Sequence, residues 1–155
     1  DSGTLAFRVA YSVLRHREDA EDVAQETLAK AYRGFRQLRD RARFRAWPVR
    51  RTWRLAIDRQ RNERRRAARE LRAEPPAASS TVEAMVARER AEQLWIAIDA
   101  LPEKLRVAII LSGIQGHDIR EVAMLLELPE GTVKSRLFLA RQQLRARLSW
   151  MHEGR

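Results

Sequence analysis

Residues 116–148, GHDIREVAMLLELPEGTVKSRLFLARQQLRARL, predict two α-helices joined by a very short turn. Asp118 is a favourable N-cap, and Glu121 three residues later completes a capping box for the first helix. Pro129 suits the first turn of a second helix, because its fixed backbone angle is already helical. The break between the two helices is therefore expected near residues 127–129.

Apolar side chains recur every three or four residues in both helices, which predicts one buried stripe on each. The stripe residues are Ile119, Val122, Ala123 and Leu126, then Val133, Leu137, Ala140, Leu144 and Leu148. Near the start of the second helix other side chains leave the stripe, namely Thr132, Lys134, Ser135, Arg136, Phe138 and Arg141. Most of them donate hydrogen bonds that phosphates and base edges accept. The pattern predicts a helix-turn-helix with a recognition helix over residues 129–147.

An ordinary helical hairpin with a solvated basic face is the alternative interpretation of this stretch. The short turn and the concentration of donors favour DNA binding instead. The net charge of +10 agrees, since it favours nucleic acid or an acidic protein surface over an anionic membrane as the partner.

Length and composition exclude several other classes of protein. The 155 residues suffice for one ordinary domain or two small ones. The absence of cysteine excludes disulfides, thiolate metal sites and a cysteine nucleophile. No apolar run approaches the roughly 18 residues that span a bilayer, so we expect a soluble, cytoplasmic protein without membrane insertion. Residue 1 is Asp, so we expect the natural start to lie upstream.

The N-terminal part of the chain predicts two helices, one capped by Thr4 and ending near residue 16, the other running from Asp19 to about residue 35. The buried face expected for the second helix is Ala20, Val23, Ala24, Thr27, Leu28, Ala31, Tyr32 and Phe35. Its opposite side carries an exposed acidic strip, which consists of Asp19, Asp22, Gln25 and Glu26. Favourable charge at the helix N-terminus explains the first members of the strip, but Glu26 lies beyond that effect.

Residues 33–72 contain sixteen arginines and only four acidic residues. Such density is what counterion release from a phosphate backbone requires. We expect residues 37–45 to form a loop, and a helix to follow with Trp47 and Pro48 in its first turn. The stripe expected for this helix is Val49, Trp53, Ala56, Ile57 and Gln60. Phe44, Trp47 and Trp53 lie among the arginines, where each suits either the core or stacking on the bases of a single strand.

Residues 73–80, AEPPAASS, predict a linker between two modules. Ser80 with Glu83 is expected to cap the next helix, and Pro102 to begin another that ends near residues 112–113. The predicted fold is all-α, with two small helical domains, residues 1–72 and 81–155, joined by a flexible linker. The C-terminal domain contains the helix-turn-helix.

Four segments occur in an order and spacing typical of one family: EDAEDVAQETLAKAYRGF, FRAWPVRRTWRLAIDRQRNERRR, LPEKLRVAIILSGIQGHDIREVA and LPEGTVKSRLFLARQQLRARL. Over nearly its whole length the chain resembles an extracytoplasmic-function sigma factor of bacterial RNA polymerase. The resemblance implies that the first module opens and reads the promoter minus-ten element, and that the second reads the minus-thirty-five element. It also implies that the acidic strip contacts core RNA polymerase, and that an anti-sigma protein is a further partner.

The expected DNA contacts follow from the arginine density, the aromatics and this resemblance. For the minus-ten element, as duplex and as melted strand, they are Arg41, Arg43, Phe44, Arg45, Trp47, Arg50, Arg51, Arg54 and Arg61. For the minus-thirty-five element they are Thr132, Lys134, Ser135, Arg136, Phe138 and Arg141. The chain departs from the family at four positions that bear on which promoter is read, because it has Pro48 for leucine, Arg54 for asparagine, Glu127 for the glycine of the turn and Leu139 for a basic residue.

Two other classes remain as alternatives. A helix-turn-helix regulator that never touches polymerase would leave the acidic strip and the arginine-rich module unexplained. An enzyme is disfavoured, because His16, His117 and His152 are scattered and no phosphate-binding glycine loop or paired-histidine metal motif occurs. We therefore expect no catalytic residues, no metal site and no cofactor.

Overall fold

The computed structural model describes residues 1–37, 39–40, 44–70 and 81–149, and this part of the chain is helical without strands, as predicted. Seven α-helices follow one another: α1 Ser2–Leu14, α2 Arg17–Phe35, α3 Ala46–Arg69, α4 Val82–Asp99, α5 Glu103–Ile109, α6 Ile119–Leu126 and α7 Glu130–Leu148. A π-helical segment, Ile110–Ile114, continues α5. Residues 73–80, the predicted linker, lie outside the described residues.

Helices α1, α2 and α3 form the first module and pack on one another. The predicted Thr4 cap is wrong, because the Asp1 carboxylate accepts the Gly3 amide at 3.0 Å and α1 begins at Ser2. Helix α2 also begins earlier than predicted, since His16 Nδ1 accepts the Asp19 amide at 3.4 Å. The cap of α1 therefore lies three residues earlier than predicted, and α2 begins two residues earlier.

The buried face of α2 is shorter than its apolar pattern suggests. Five of its predicted members are buried, namely Ala20, Val23, Ala24, Thr27 and Ala31. Tyr32 is 83% exposed and Phe35 is 42% exposed, so their predicted burial is wrong. A Cβ on Gly3, at the start of α1, would lie 3.4 Å from Leu28 Cδ1, so the residues of α2 after Leu28 continue beyond the start of α1. The last turns of α2 therefore lack that neighbour.

Helix α3 buries the predicted stripe of Val49, Trp53, Ala56 and Ile57. Gln60, the last member, is half-buried, and its side-chain amide donates to the Val13 carbonyl of α1 at 3.0 Å. Pro48 occupies the first turn, as expected, where the helix does not need its missing amide hydrogen. The arginines of α3 lie outside this buried stripe, and one of them, Arg59, pairs with Asp19 of α2.

Helices α4 to α7 form the second module. The side chain of Thr81 caps α4 by accepting the Ala84 amide at 3.3 Å, so the predicted Ser80 cap is wrong. Only Ala97 and Ile98 of α4 are buried, whereas Val82 is 77% exposed and Met85 is also exposed. The apolar residues of its first half therefore do not belong to the core.

The helix-turn-helix agrees closely with its prediction. Asp118 caps α6 by accepting the Glu121 amide at 2.8 Å. Helix α6 ends at Leu126, and its C-cap, Glu127, takes the left-handed conformation with φ 52°. Pro129 precedes the first residue of α7. The predicted stripe is buried at Val122, Ala123, Val133, Leu137 and Ala140 and half-buried at Ile119, Leu126, Leu144 and Leu148.

The two modules pack directly against each other, and one cluster of buried residues includes side chains from both. We call the contact surface between α1–α3 and α4–α7 the seam. Helix α3 contacts α6 across it, and α1 contacts the π-helical segment. The bond from Gln115 Nε2 to Ser12 Oγ of α1, 3.2 Å long, also crosses the seam. Sequence periodicity did not predict this closed arrangement.

Candidate nucleic-acid and partner interfaces

Helix α7 separates its core side from its exposed side as a recognition helix must. Val133, Leu137 and Ala140 are at most 1% exposed, which fixes the orientation of the helix on the module. Its exposed positions include four of the predicted minus-thirty-five residues, Lys134, Ser135, Phe138 and Arg141. The structure thus brings these four to one outward side of α7.

Ser135 and Arg136 are less free than their neighbours on α7. The Ser135 hydroxyl donates to the Gly131 carbonyl at 3.0 Å, so its oxygen keeps only acceptor capacity for a base edge. Arg136 is half-buried and lines a cleft of about 590 Å³ at the seam, together with Arg50 and Arg54 of α3. Thr132 is half-buried as well. Lys134 and Arg141 are therefore the more accessible cations of the predicted set.

The basic side of α3 gathers several of the predicted minus-ten residues. Trp47, Arg50, Arg51 and Arg54 line a hollow of about 250 Å³. Arg51 Nε is buried and has no hydrogen-bond partner in the part of the chain that the structure describes. A buried donor without an acceptor is costly. The three guanidinium groups around the hollow make it a favourable place for an anionic oxygen.

The loop before α3 is described only in part. Phe44 is half-buried and packs edge to face on Phe35, with ring centroids 5.1 Å apart, while Arg45 is exposed. Arg41 and Arg43, both predicted minus-ten contacts, lie outside the described residues. Phe44 and Arg45 directly precede the first turn of α3.

The acidic strip of α2 is a mixture of paired and accessible groups. Arg59 of α3 binds Asp19 at 2.6 Å and lies 3.5 Å from Asp22. Asp22, Gln25 and Glu26 are exposed. Lys30 donates a 2.8 Å hydrogen bond to Glu26, and this bond lowers the pKa of the Glu26 carboxyl group. The Glu26 carboxyl group consequently stays ionised at neutral pH, and the three exposed members of the strip face solvent.

Glu103 of the second module contacts the first module across the seam, and the sequence did not single it out. Glu103 Oε2 lies 3.2 Å from Arg61, and Glu103 Oε1 accepts the Trp53 indole N–H at 3.1 Å. Trp53, one of the three candidate base-stacking aromatics, is thereby buried in the seam. No local pattern identifies Glu103, because its partners are more than forty residues away in the sequence.

Two further features of the described residues concern other classes of site. None of their helices combines the length and apolar character that a bilayer crossing needs. They also hold no group of three or more His, Asp or Glu side chains arranged to bind a metal ion.

A helix-turn-helix module packed on a second helical module that is rich in arginine defines a class of DNA-binding transcription protein. Comparison with known proteins identifies the family within this class. Residues 2–66 match the family Sigma-70 region 2, and residues 91–144 match Sigma-70, region 4.

The chain is similar to curated sigma factors along most of its length. It is 33% identical over 146 residues to the ECF RNA polymerase sigma factor SigE of Mycolicibacterium smegmatis, covering 90% of this chain and 55% of that protein. It is 32% identical over 149 residues to SigM of Mycobacterium tuberculosis, covering 95% and 73%. The chain thus spans about half the length of the first relative and about three quarters of the second. It belongs to the ECF sigma factor family of bacterial RNA polymerase.

A solved structure agrees in fold. The sigma factor RpoE of Bartonella quintana, in complex with the anti-sigma factor NepR, superimposes with a TM-score of 0.60 and 23% sequence identity, over 96% of this chain and 92% of that one. A regulator that acts without polymerase is not favoured, because the first module also matches a sigma region.

Proposed function

We propose that this protein binds core RNA polymerase, directs it to promoters and melts the DNA there. In this proposal residues 1–72 form the module that binds polymerase and the minus-ten element, residues 73–80 are the linker, and residues 81–155 read the minus-thirty-five element. The observation that carries it is the pairing of an exposed donor set on α7 with an arginine-rich α3 in one chain that belongs to the sigma family. We infer a cytoplasmic protein that has no catalytic site of its own.

The acidic strip is the proposed contact with core polymerase. Asp22, Gln25 and Glu26 are exposed on the side of α2 that faces away from its buried residues. Such groups add little to the stability of the free protein, so a partner surface accounts for them better than folding does. An anti-sigma protein is a further proposed partner, supported by the relative whose solved structure contains one.

On α7 we assign base contacts to Lys134 and Ser135, and phosphate contacts to Arg136 and Arg141. Recognition helices commonly present their N-terminal residues to the floor of the major groove, and both proposed base readers are exposed in the first turns. Phe138 is 67% exposed, as suits contact with a thymine methyl group.

Co-purification with core RNA polymerase tests the function most simply. The tagged protein is expected to retain core polymerase from an extract of its own bacterium and to confer initiation at defined start sites on it. Binding of duplex DNA without retention of polymerase would support the regulator and overturn the proposal.

A further inference from the structure

Three carboxylates of the second module bind arginines of the first across the seam. Asp99 at the end of α4 lies 2.5 Å from Arg15 and 3.3 Å from Arg64. Glu103 of α5 lies 3.2 Å from Arg61, and Glu127 of the turn lies 2.9 Å from Arg50. We call Asp99, Glu103 and Glu127 the seam carboxylates. Every one of these pairs joins the two modules.

The pair at Asp99 is the best shielded of the three. The Asp99 side chain is only 12% exposed, and both of its oxygens accept from the Arg15 guanidinium. The same guanidinium lies 4.7 Å from the centroid of the Trp95 ring, which adds a cation–π contact. Partial burial and a second contact make this pair stronger than an isolated surface salt bridge.

The arginines bound by the other two carboxylates include proposed DNA contacts. Arg50 and Arg61 are both assigned to the minus-ten element, and in the closed protein each is neutralised by a glutamate. Carboxylates and phosphates bind a guanidinium with the same planar geometry, so the two acids compete with one another for these groups. Arg136 of the recognition helix faces the same cleft as Arg50. Closure therefore occupies binding groups of the first module and places Arg136 of the second module in the cleft between them.

One residue opposes closure. Arg106 of α5 is only 8% exposed at the seam, and its Nε is buried with no partner among the residues that the structure describes. Among the described residues, Arg106 Nη1 donates a hydrogen bond to Gln60 Oε1 at 3.4 Å. The Arg106 guanidinium also lies 5.7 Å from the Trp53 ring centroid. Burial lowers the pKa of Arg106, which means that the charge is held at a cost. Opening the seam would return this group to water.

We propose that Asp99, Glu103 and Glu127 form an intramolecular substitute for DNA phosphates that holds the free protein in a closed state. In that state two of the minus-ten arginines, Arg50 and Arg61, are occupied, and Arg136 of the recognition helix lines the same cleft as Arg50. Opening exchanges the carboxylates for promoter phosphates. The inference rests on the proposed DNA-binding role of α3 and adds to it a device that keeps the free protein from binding DNA.

Distance measurements on the full chain test the closed state. The chain has no cysteine, so Ala29→Cys on α2 and Ala146→Cys on α7, both exposed, give two unique positions for fluorophores. The triple variant Asp99→Asn, Glu103→Gln, Glu127→Gln is compared with Glu83→Gln, Glu89→Gln, Glu92→Gln. The control loses the same charge from exposed positions of α4. Energy transfer should fall in the seam variant only, with the helical circular dichroism of both unchanged.

DNA binding by the free full-length protein gives the second readout, with a fluorescent mixed-sequence 30-base-pair duplex as the probe. We expect the seam variant to bind about tenfold more tightly than the control, a difference of about 1.4 kcal/mol. Equal energy transfer and equal DNA affinity in the seam variant and the control variant would overturn the proposal. The charge-exchange variant Arg50→Glu with Glu127→Arg, made in an otherwise native seam, should keep the high energy transfer of the closed state. Loss of energy transfer in this variant would contradict a specific contact between positions 50 and 127.

The two proposals fail in different ways. If Arg50→Ala and Arg61→Ala leave DNA affinity unchanged in the opened variant, the minus-ten assignment of α3 fails, although the seam still opens. If the same substitutions abolish the gain in affinity while energy transfer stays low, the seam carboxylates and DNA share these arginines, as proposed.

Discussion

Lys134 is the side chain of α7 whose role can be separated most clearly from that of its neighbours. It is exposed in the early turns of the recognition helix, while Arg141 is exposed two turns later. We expect Lys134→Ala to cost roughly 1 to 3 kcal/mol on the preferred upstream element and little on a scrambled one. Arg141→Ala should weaken both sites alike, because phosphates carry no sequence. Competition binding with the polymerase-bound protein measures the affinity of each variant for the two DNA sites. An equal loss of affinity on both sites for Lys134→Ala would make Lys134 a phosphate contact.

Glu127 shows how one departure from the family pattern is accommodated. The family usually has glycine at this position of the turn, and here a glutamate takes φ 52°, where a Cβ is strained. Glu127→Gly and Glu127→Ala both remove the ion pair with Arg50, but only glycine relieves the backbone. The glycine variant is expected to be about 1 kcal/mol more stable than the alanine variant in chemical denaturation. Equal stabilities would mean that the turn is not strained.

At the scale of single helices, α2 combines a core face with the proposed polymerase face. Reversing Asp22 and Glu26 to arginine is expected to weaken binding to core polymerase by at least about tenfold, while the melting temperature moves by only a few degrees, since exposed charges contribute little. Glu89→Arg with Glu92→Arg on α4 is the matched control, because it makes the same charge change at exposed positions. Affinity for immobilised core polymerase measures the effect. Equal binding by the two double variants would remove the strip from the interface.

The sequence predicted most of the helices because their determinants are local. The capping carboxylate of Asp118, the break at residues 127–129 and the stripes of α3, α6 and α7 depend on neighbours within a few residues. Burial was less predictable, because it depends on where another helix ends. Tyr32 follows the apolar period of α2 but lies beyond the start of α1, and Val82 is apolar at a place where α4 has left the core.

At the scale of the whole molecule, the seam could not be predicted, because its partners are far apart in the sequence. The Arg15–Asp99 pair spans 84 residues, and a single charged residue on a helix gives no periodic pattern. Trp53 illustrates the consequence. Its position among arginines suggested either core or base stacking, and only the contact with Glu103 places it in the seam.

Ionic strength should control the closed state. Raising the salt concentration from about 0.05 M to about 0.5 M shortens the Debye length severalfold and weakens the partly exposed Arg61–Glu103 and Arg50–Glu127 pairs. Energy transfer in the labelled native protein is therefore expected to fall with salt, and the seam variant should show a smaller change. Salt-independent transfer in the native protein would indicate that apolar contacts alone hold the modules together.

In the proposed function, one chain places two DNA-reading modules on one promoter while bound to polymerase. Run-off transcription tests this arrangement with a template that has about 5 base pairs inserted between the minus-ten and minus-thirty-five elements. The insertion rotates one element by about half a helical turn relative to the other. The same insertion upstream of both elements is the control. We predict that initiation is lost or falls by at least about tenfold with the first template and is unchanged with the second. Unchanged initiation after the internal insertion would contradict the claim.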